Sequence, residues 1–149
     1  FVRHGLLDNR AIRTHATELI AHFSVRTPGP DVAIGTLSGG NMQKVVVARE
    51  LSSKPKVLLV AHPTRGVDLG ATEFIWQRIA EARDQGASVL LTSADLSELL
   101  ALADRMIVIY RGRIVAAFAN TAEVTPEVLG RYMLGMAEQP HDERKAALA

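Results

Sequence analysis

Val57-Leu58-Leu59-Val60 is an unbroken apolar run of strand length. It constrains the chain more than any other stretch, because residues hydrophobic on both faces fit a sheet covered by helices rather than a half-solvated hairpin. A second such run, Val89-Leu90-Leu91 within Ser88 to Ser93, follows a helical pattern from about Thr72 to Gln85. Gly66 and Gly70 punctuate the entry to that helix, and Gly86 stands where its C-cap is expected. Strand, helix, strand in this order predicts a right-handed crossover with parallel core strands, an α/β arrangement.

The rest of the chain reads as elements hung on that unit. Upstream, Ile12, Ala16, Leu19, Ile20 and Phe23 recur at helical spacing behind Asp8 or Asn9, either of which suits an N-cap. Thr27-Pro28-Gly29-Pro30 breaks the helix, and a loop leads to Ser38, whose hydroxyl is placed to cap a helix from about Asn41 to Leu51. Downstream, Asp95 with Glu98 three residues on predicts a boxed helix start over Leu96 to Leu102. Met106 to Tyr110 and Arg113 to Phe118 flank Arg111-Gly112 as a hairpin, and a last helix opens at Thr125-Pro126 and ends near Leu134-Gly135. The charged stretch from about Glu138 to Ala149 is expected to fray.

Composition excludes several functions. The 149 residues include 17 basic and 16 acidic groups, a net charge of +1, so there is no basic footprint for nucleic acid or an anionic membrane. Hydrophobic residues make up 48%, enough for a core, but no run approaches the roughly 20 residues of a membrane span. Cysteine is absent, which rules out disulfides and thiolate metal sites, and His4, His15, His22 and His141 show no metal-ligand spacing. They are expected at the surface. Phe74 and Trp76 are expected to pack on the sheet. Length and the missing initiator Met fit a fragment better than a complete machine.

The chemistry-bearing residues come in two blocks. Leu37-Ser38-Gly39-Gly40-Asn41 precedes a predicted helix, where paired glycines let backbone N–H groups and the positive end of the helix dipole approach a phosphate. Taken alone, Ser-Gly-Gly is more commonly just a turn and cap. The second block follows the first strand directly: Ala61-His62-Pro63-Thr64-Arg65-Gly66-Val67-Asp68. In this order and spacing the two blocks resemble the signature motif, Walker B and D-loop of the nucleotide-binding domains of ABC ATPases. Asn41-Met42-Gln43-Lys44 and Pro63-Thr64-Arg65-Gly66-Val67-Asp68 narrow the resemblance to the second domain of bacterial sugar and nucleoside importer ATPases.

The resemblance implies a partial P-loop NTPase-type domain: parallel core strands with flanking helices, a C-terminal hairpin and part of the helical subdomain. Residues 1–36 would belong to that subdomain, 37–136 to the C-terminal part of the ATPase core, and 137–149 to a flexible tail. Ser38, Gly39, Gly40 and Asn41 would contact the terminal phosphate of ATP held by an opposing domain. Asp68 would lie at the dimer interface, although it also reads as a simple cap ahead of Gly70. No Gly-x-x-x-x-Gly-Lys-Ser/Thr occurs, so the phosphate-cradling loop is not in this sequence.

Three positions depart from the family pattern. Ala61 stands where a magnesium-coordinating Asp is expected and has no oxygen to offer. His62 stands at the position of the catalytic Glu, and Ala94, in Ser93-Ala94-Asp95-Leu96, at that of the switch His. His62 reads either as a substitute proton acceptor or as a residue tolerated in an idle site. The resemblance therefore implies a chain that donates its signature in trans while its own site is degenerate, the fragment alone being inactive and holding no cofactor tightly. ATP and Mg2+ would act in the assembled transporter. Implied partners are a second nucleotide-binding domain in the same polypeptide and integral permease subunits, with no nucleic acid, at the cytoplasmic face of the inner membrane. The readings weighed against it are a soluble ABC-type clamp on DNA or ribosomes and an interaction module that never engages nucleotide.

Overall fold

A computed structural model describes residues 1–3 and 5–148. The surface expectation for His4 and the last residue of the expected tail fall outside them. The chain divides into two compact units, Phe1–Leu90 and Leu91–Ala149.

The first unit begins with a two-residue strand pair, β1 (Val2–Arg3) and β2 (Leu6–Leu7), and then α1 (Asn9–His22). Asp8 caps α1 by accepting from Ala11 N at 2.9 Å. The apolar stripe of α1 is only half covered, and its burial is completed just past the helix end by Phe23 and Val25. These two pack with Ala48 of α2 (Gly39–Ser52), joined by Leu19, Ile20, Val45, Leu51 and Phe74. A short 3-10 turn, Ile34–Thr36, leads into α2.

The predicted crossover is present. β3 (Val57–Ala61) and β4 (Ser88–Thr92) are paired and joined by α3 (Leu69–Asp84). Ser88 N donates to Lys56 O at 2.9 Å, so the two strands start side by side and run the same way. α3 starts three residues earlier than its apolar pattern suggests, because Asp68 rather than a glycine turn begins it. Its buried stripe is Ala71, Ile75 and Ile79. Phe74 lies off that stripe: it meets Phe23 edge-on at 6.5 Å and is covered by Lys44 at 4.5 Å and Arg78 at 5.1 Å. The expectation that it packs on the sheet is thus corrected, since one turn of α3 faces the α1–α2 cluster instead. Nor are both strand faces covered. Leu58 is buried, but Val57, Leu59 and Leu90 are 64%, 73% and 57% exposed.

In the second unit, α4 (Leu96–Leu102) is capped by Asp95, which accepts from Ser97 N at 2.9 Å. Asp95 N donates to the Ser93 hydroxyl, and Glu98, the third residue of the expected box, is buried. β5 (Arg105–Tyr110) and β6 (Arg113–Ala119) make the predicted antiparallel hairpin, with Val108 opposite Ala116 and an irregularity at Val108/Ile109. Arg111 and Gly112 both take positive φ, 49° and 76°, as a two-residue turn matched to strand twist requires. α5 (Pro126–Met133), with Thr125 as cap, closes Leu129 over Met106, Val108, Val115 and Ala116.

The segment expected to fray is instead tied to the hairpin. Gln139 N donates to Val115 O at 2.9 Å and Gln139 Oε1 accepts from Ala117 N at 2.8 Å, leading into α6 (His141–Leu148). One of its charges is paired nearby, Arg144 reaching Glu138 at 2.8 Å.

Candidate functional site

The first block forms a helix start, as its residues dictate. Ser38 is the N-cap of α2, and Met42 N donating to Ser38 O at 2.9 Å is the first bond of the helix. The N–H groups of Gly39, Gly40 and Asn41 in the first turn therefore have no intrahelical acceptor, and Ser38 and Gly39 are exposed. This leaves a positively polarised, open surface suited to a phosphate oxygen.

Capping differs from expectation in one respect. The Ser38 hydroxyl does not bond a backbone N–H of α2; it accepts from Asn41 Nδ2 at 2.9 Å. The other end of the same amide, Asn41 Oδ1, accepts from Arg26 N at 2.8 Å. Lys44 Nζ adds a contact to Ser24 O at 3.3 Å, so two side chains of α2 hold the loop that follows α1. Sequence reasoning missed Arg26 and Lys44. The Ser38–Asn41 spacing, which is that of a cap and its third helical residue, was the available signal.

The second block lies against the first. An added Cβ on Gly40 would meet Ala71 Cβ at 3.0 Å and Asp68 Oδ2 at 3.1 Å, and one on Gly39 would meet Gly66 O at 3.3 Å. The signature glycines thus let the N-termini of α2 and α3 approach closely, a demand separate from any ligand. Asp68 Oδ1 accepts from Ala71 N at 2.9 Å, which makes Asp68 the cap of α3, the simpler of its two readings.

Ala61 and His62 are exposed at the end of β3. His62 has a φ of 48° and its carbonyl accepts from Arg65 N at 3.2 Å, opening the turn toward Gly66. A non-glycine residue ahead of a proline rarely takes left-handed φ, so the backbone here is strained. The donor set does not fit a divalent cation held by this chain: Ala61 offers no oxygen, and among the described residues no group of three or more His, Cys, Asp or Glu gathers. Ala94, in the second unit, is exposed in the bend before α4 and brings no polar side chain.

Of the remaining histidines, His15 meets Phe1 at 5.2 Å with the rings tilted by 45°, His22 meets Phe23 edge-on at 5.0 Å, and His141 is exposed. A groove of about 360 Å³ in the first unit, lined by Leu19, Phe23, Leu51, Pro55, Arg78 and Glu81 among others, contains none of the signature residues. No helix among the described residues is long and apolar enough to cross a membrane.

No family model matches the chain. Among curated proteins it is similar to the nucleoside import ATP-binding protein NupA of Lactococcus lactis subsp. cremoris (strain MG1363), 43% identical over 133 residues, covering 89% of this chain and 26% of that protein. It is also similar to the guanosine import ATP-binding protein NupO of Bacillus subtilis (strain 168), 42% identical over 135 residues, 91% of this chain and 26% of that one. The ribose import ATP-binding protein RbsA of Lactococcus lactis subsp. cremoris (strain SK11) is 41% identical over 127 residues, 85% and 26%. The chain spans about a quarter of the length of these curated relatives.

Among solved structures, the dimeric ATP-binding cassette MJ0796 bound to ADP and Pi matches with a TM-score of 0.67 at 22% identity, covering 80% of this chain and 52% of that one. The cassette MJ1267 matches with a TM-score of 0.70 at 22% identity, covering 90% and 53%. At that identity the structures speak for the fold alone. With relatives above 40% identity across most of its length and the cassette fold, this chain belongs to the ABC ATPases, as a stretch spanning about half of the solved cassettes.

Proposed function

We propose that this segment works in an ABC importer for a small solute, a sugar or nucleoside, as the donor of a signature surface to an ATP site whose other half belongs to a second nucleotide-binding domain. One observation carries the proposal: Ser38 and Gly39 stand exposed at an open helix N-terminus, while Ala61 and His62 at the end of β3 bring no carboxylate for Mg2+. Bound ATP supplies a terminal phosphate and, with Mg2+, the free energy of its cleavage. Ser38, Gly39, Gly40 and Asn41 form the surface that meets that phosphate, through backbone N–H groups and the serine hydroxyl. Asp68 lies at the junction with the opposing domain.

On this account the segment's own half-site is idle. Losing a positioned general base typically removes about 10² to 10⁴ of rate, and an imidazole at His62 does not replace the carboxylates absent from positions 61 and 62. Permease subunits as partners and the cytoplasmic membrane face as location are part of this proposal, supported by the import role in the names of the relatives. Residues 1–36 then serve as part of the helical subdomain and 37–136 as the C-terminal part of the core.

The test is a pair of substitutions in the assembled transporter. Ser38→Arg is expected to abolish solute uptake, because a bulky cation displaces the phosphate surface, whereas His62→Ala leaves uptake nearly unchanged. Equal losses from both would rule out the asymmetric arrangement.

A further inference from the structure

We infer that Asn41 is a positioning residue that sets the polarity of the Ser38 hydroxyl, so that Ser38 acts as a hydrogen-bond donor toward an anion. The inference rests on the phosphate-facing role proposed for Ser38 and assigns Asn41 to a task other than touching phosphate itself.

The direction of two hydrogen bonds carries it. Arg26 N is a backbone N–H and can only donate, so the Asn41 atom 2.8 Å from it must be the carbonyl oxygen Oδ1. That contact fixes which way round the amide sits. Nδ2 is thereby turned toward Ser38 Oγ, 2.9 Å away, and an amide NH2 likewise can only donate. Ser38 Oγ is left as the acceptor. A serine hydroxyl has one hydrogen and two lone pairs, and with a lone pair committed to Asn41 its hydrogen is free to point elsewhere. Ser38 is exposed, and the first-turn N–H groups of α2 lie beside it, so the free hydrogen joins a set of donors on one surface.

The anchor is distant in sequence and firm in space. Arg26 is fifteen residues from Asn41. Its loop is held by buried Val25 in the α1–α2 cluster and by Lys44 on Ser24 O at 3.3 Å. Asn is therefore matched to its place: an Asp would keep the bond from Arg26 N but present a second acceptor to Ser38. The serine would then donate inward, and its outward face would be a lone pair.

Two measurements test this. In the assembled transporter, kcat and KM for ATP are compared for Ser38→Ala, Asn41→Asp and the double variant. With Ser38 present, Asn41→Asp is expected to raise KM about tenfold, the scale of one lost charge-assisted hydrogen bond. On the Ser38→Ala background it adds nothing, since the hydroxyl it acts through is gone. The same fold-change on both backgrounds would overturn the inference, because the added charge would then be acting on the phosphate directly. In the isotope-labelled chain, the Asn41 side-chain NH2 resonances should shift in Ser38→Ala while the α1 resonances hold; no shift overturns the link itself. A shift accompanied by full ATP hydrolysis in Ser38→Arg would uphold the link and remove instead the trans-phosphate role of Ser38.

Discussion

Asp68 and Gly40 are in contact across two helix starts: one carboxylate oxygen of Asp68 caps α3 at Ala71 N, and the other stands 3.1 Å from where a Cβ on Gly40 would lie. A glycine proposed for a phosphate surface is also the glycine that lets the two helices meet. Gly40→Ala is expected to destabilise the chain by about 1–3 kcal/mol, because its methyl group meets Ala71 Cβ as well as the carboxylate. Gly39→Ala, facing a single carbonyl at 3.3 Å, should cost less. Urea midpoints check this, and equal midpoints for the two variants would argue against close packing as the reason for Gly40.

Asp68 has a capping role and a proposed interface role, and asparagine separates them. Asn caps as well as Asp, so Asp68→Asn should leave the urea midpoint nearly unchanged, while Asp68→Ala lowers stability by about 1 kcal/mol. Normal ATP-dependent association of the two nucleotide-binding domains in Asp68→Asn would leave the residue with its cap alone.

At His62 the backbone, not the imidazole, is the costly feature. A left-handed φ of 48° suits glycine, so His62→Gly is expected to raise stability by about 0.5–1 kcal/mol, and His62→Val to lower it by more. Thermal melts of the two variants should move in opposite directions. A loss of stability in His62→Gly would mean that the side chain holds the turn.

Glu138 supplies a pH dependence to the second unit. Its hydrogen bond from Arg144 holds the carboxyl below its ordinary value, with Arg113 adding a weaker attraction. A carboxylate lowered on folding stabilises above its unfolded value and loses that contribution as pH falls through the folded one. The protection of α6 amides, taken relative to their intrinsic exchange rates at each pH, should therefore fall as pH drops below the ordinary carboxylate range, and fall less in Glu138→Gln. Identical pH profiles for the two proteins would exclude this ion pair as the cause.

The open face of β3 and β4 predicts association of the purified chain. Val57, Leu59 and Leu90 present adjoining apolar side chains of the kind that drives non-specific contact. Leu59→Lys with Leu90→Lys should lower the sedimentation-derived mass or the apolar dye binding without lowering the melting temperature. A lower melting temperature would show that this face is buried after all.

What the sequence by itself determined was local. Apolar runs and helical spacing located β3, β4, α1 and α3 to within a few residues. Short side chains at helix starts, Asp8 and Asp95, marked caps because such a bond needs only residues two or three positions apart. The Ser38–Asp68 blocks were legible as well, since their spacing reflects one strand and one helix in succession. What only the tertiary structure decided was which distant groups those residues would find. Asn41 reads in sequence as part of a phosphate surface, and only the fold shows that its side-chain amide spans Ser38 and Arg26. Phe74 looked like a sheet residue, yet it joins the α1–α2 cluster. Gln139, in a stretch expected to fray, bonds Val115 and Ala117. Periodicity specifies which face of an element is apolar, but a polar side chain takes whichever donor or acceptor the folded chain brings within about 3 Å, and that proximity is not written in neighbouring residues.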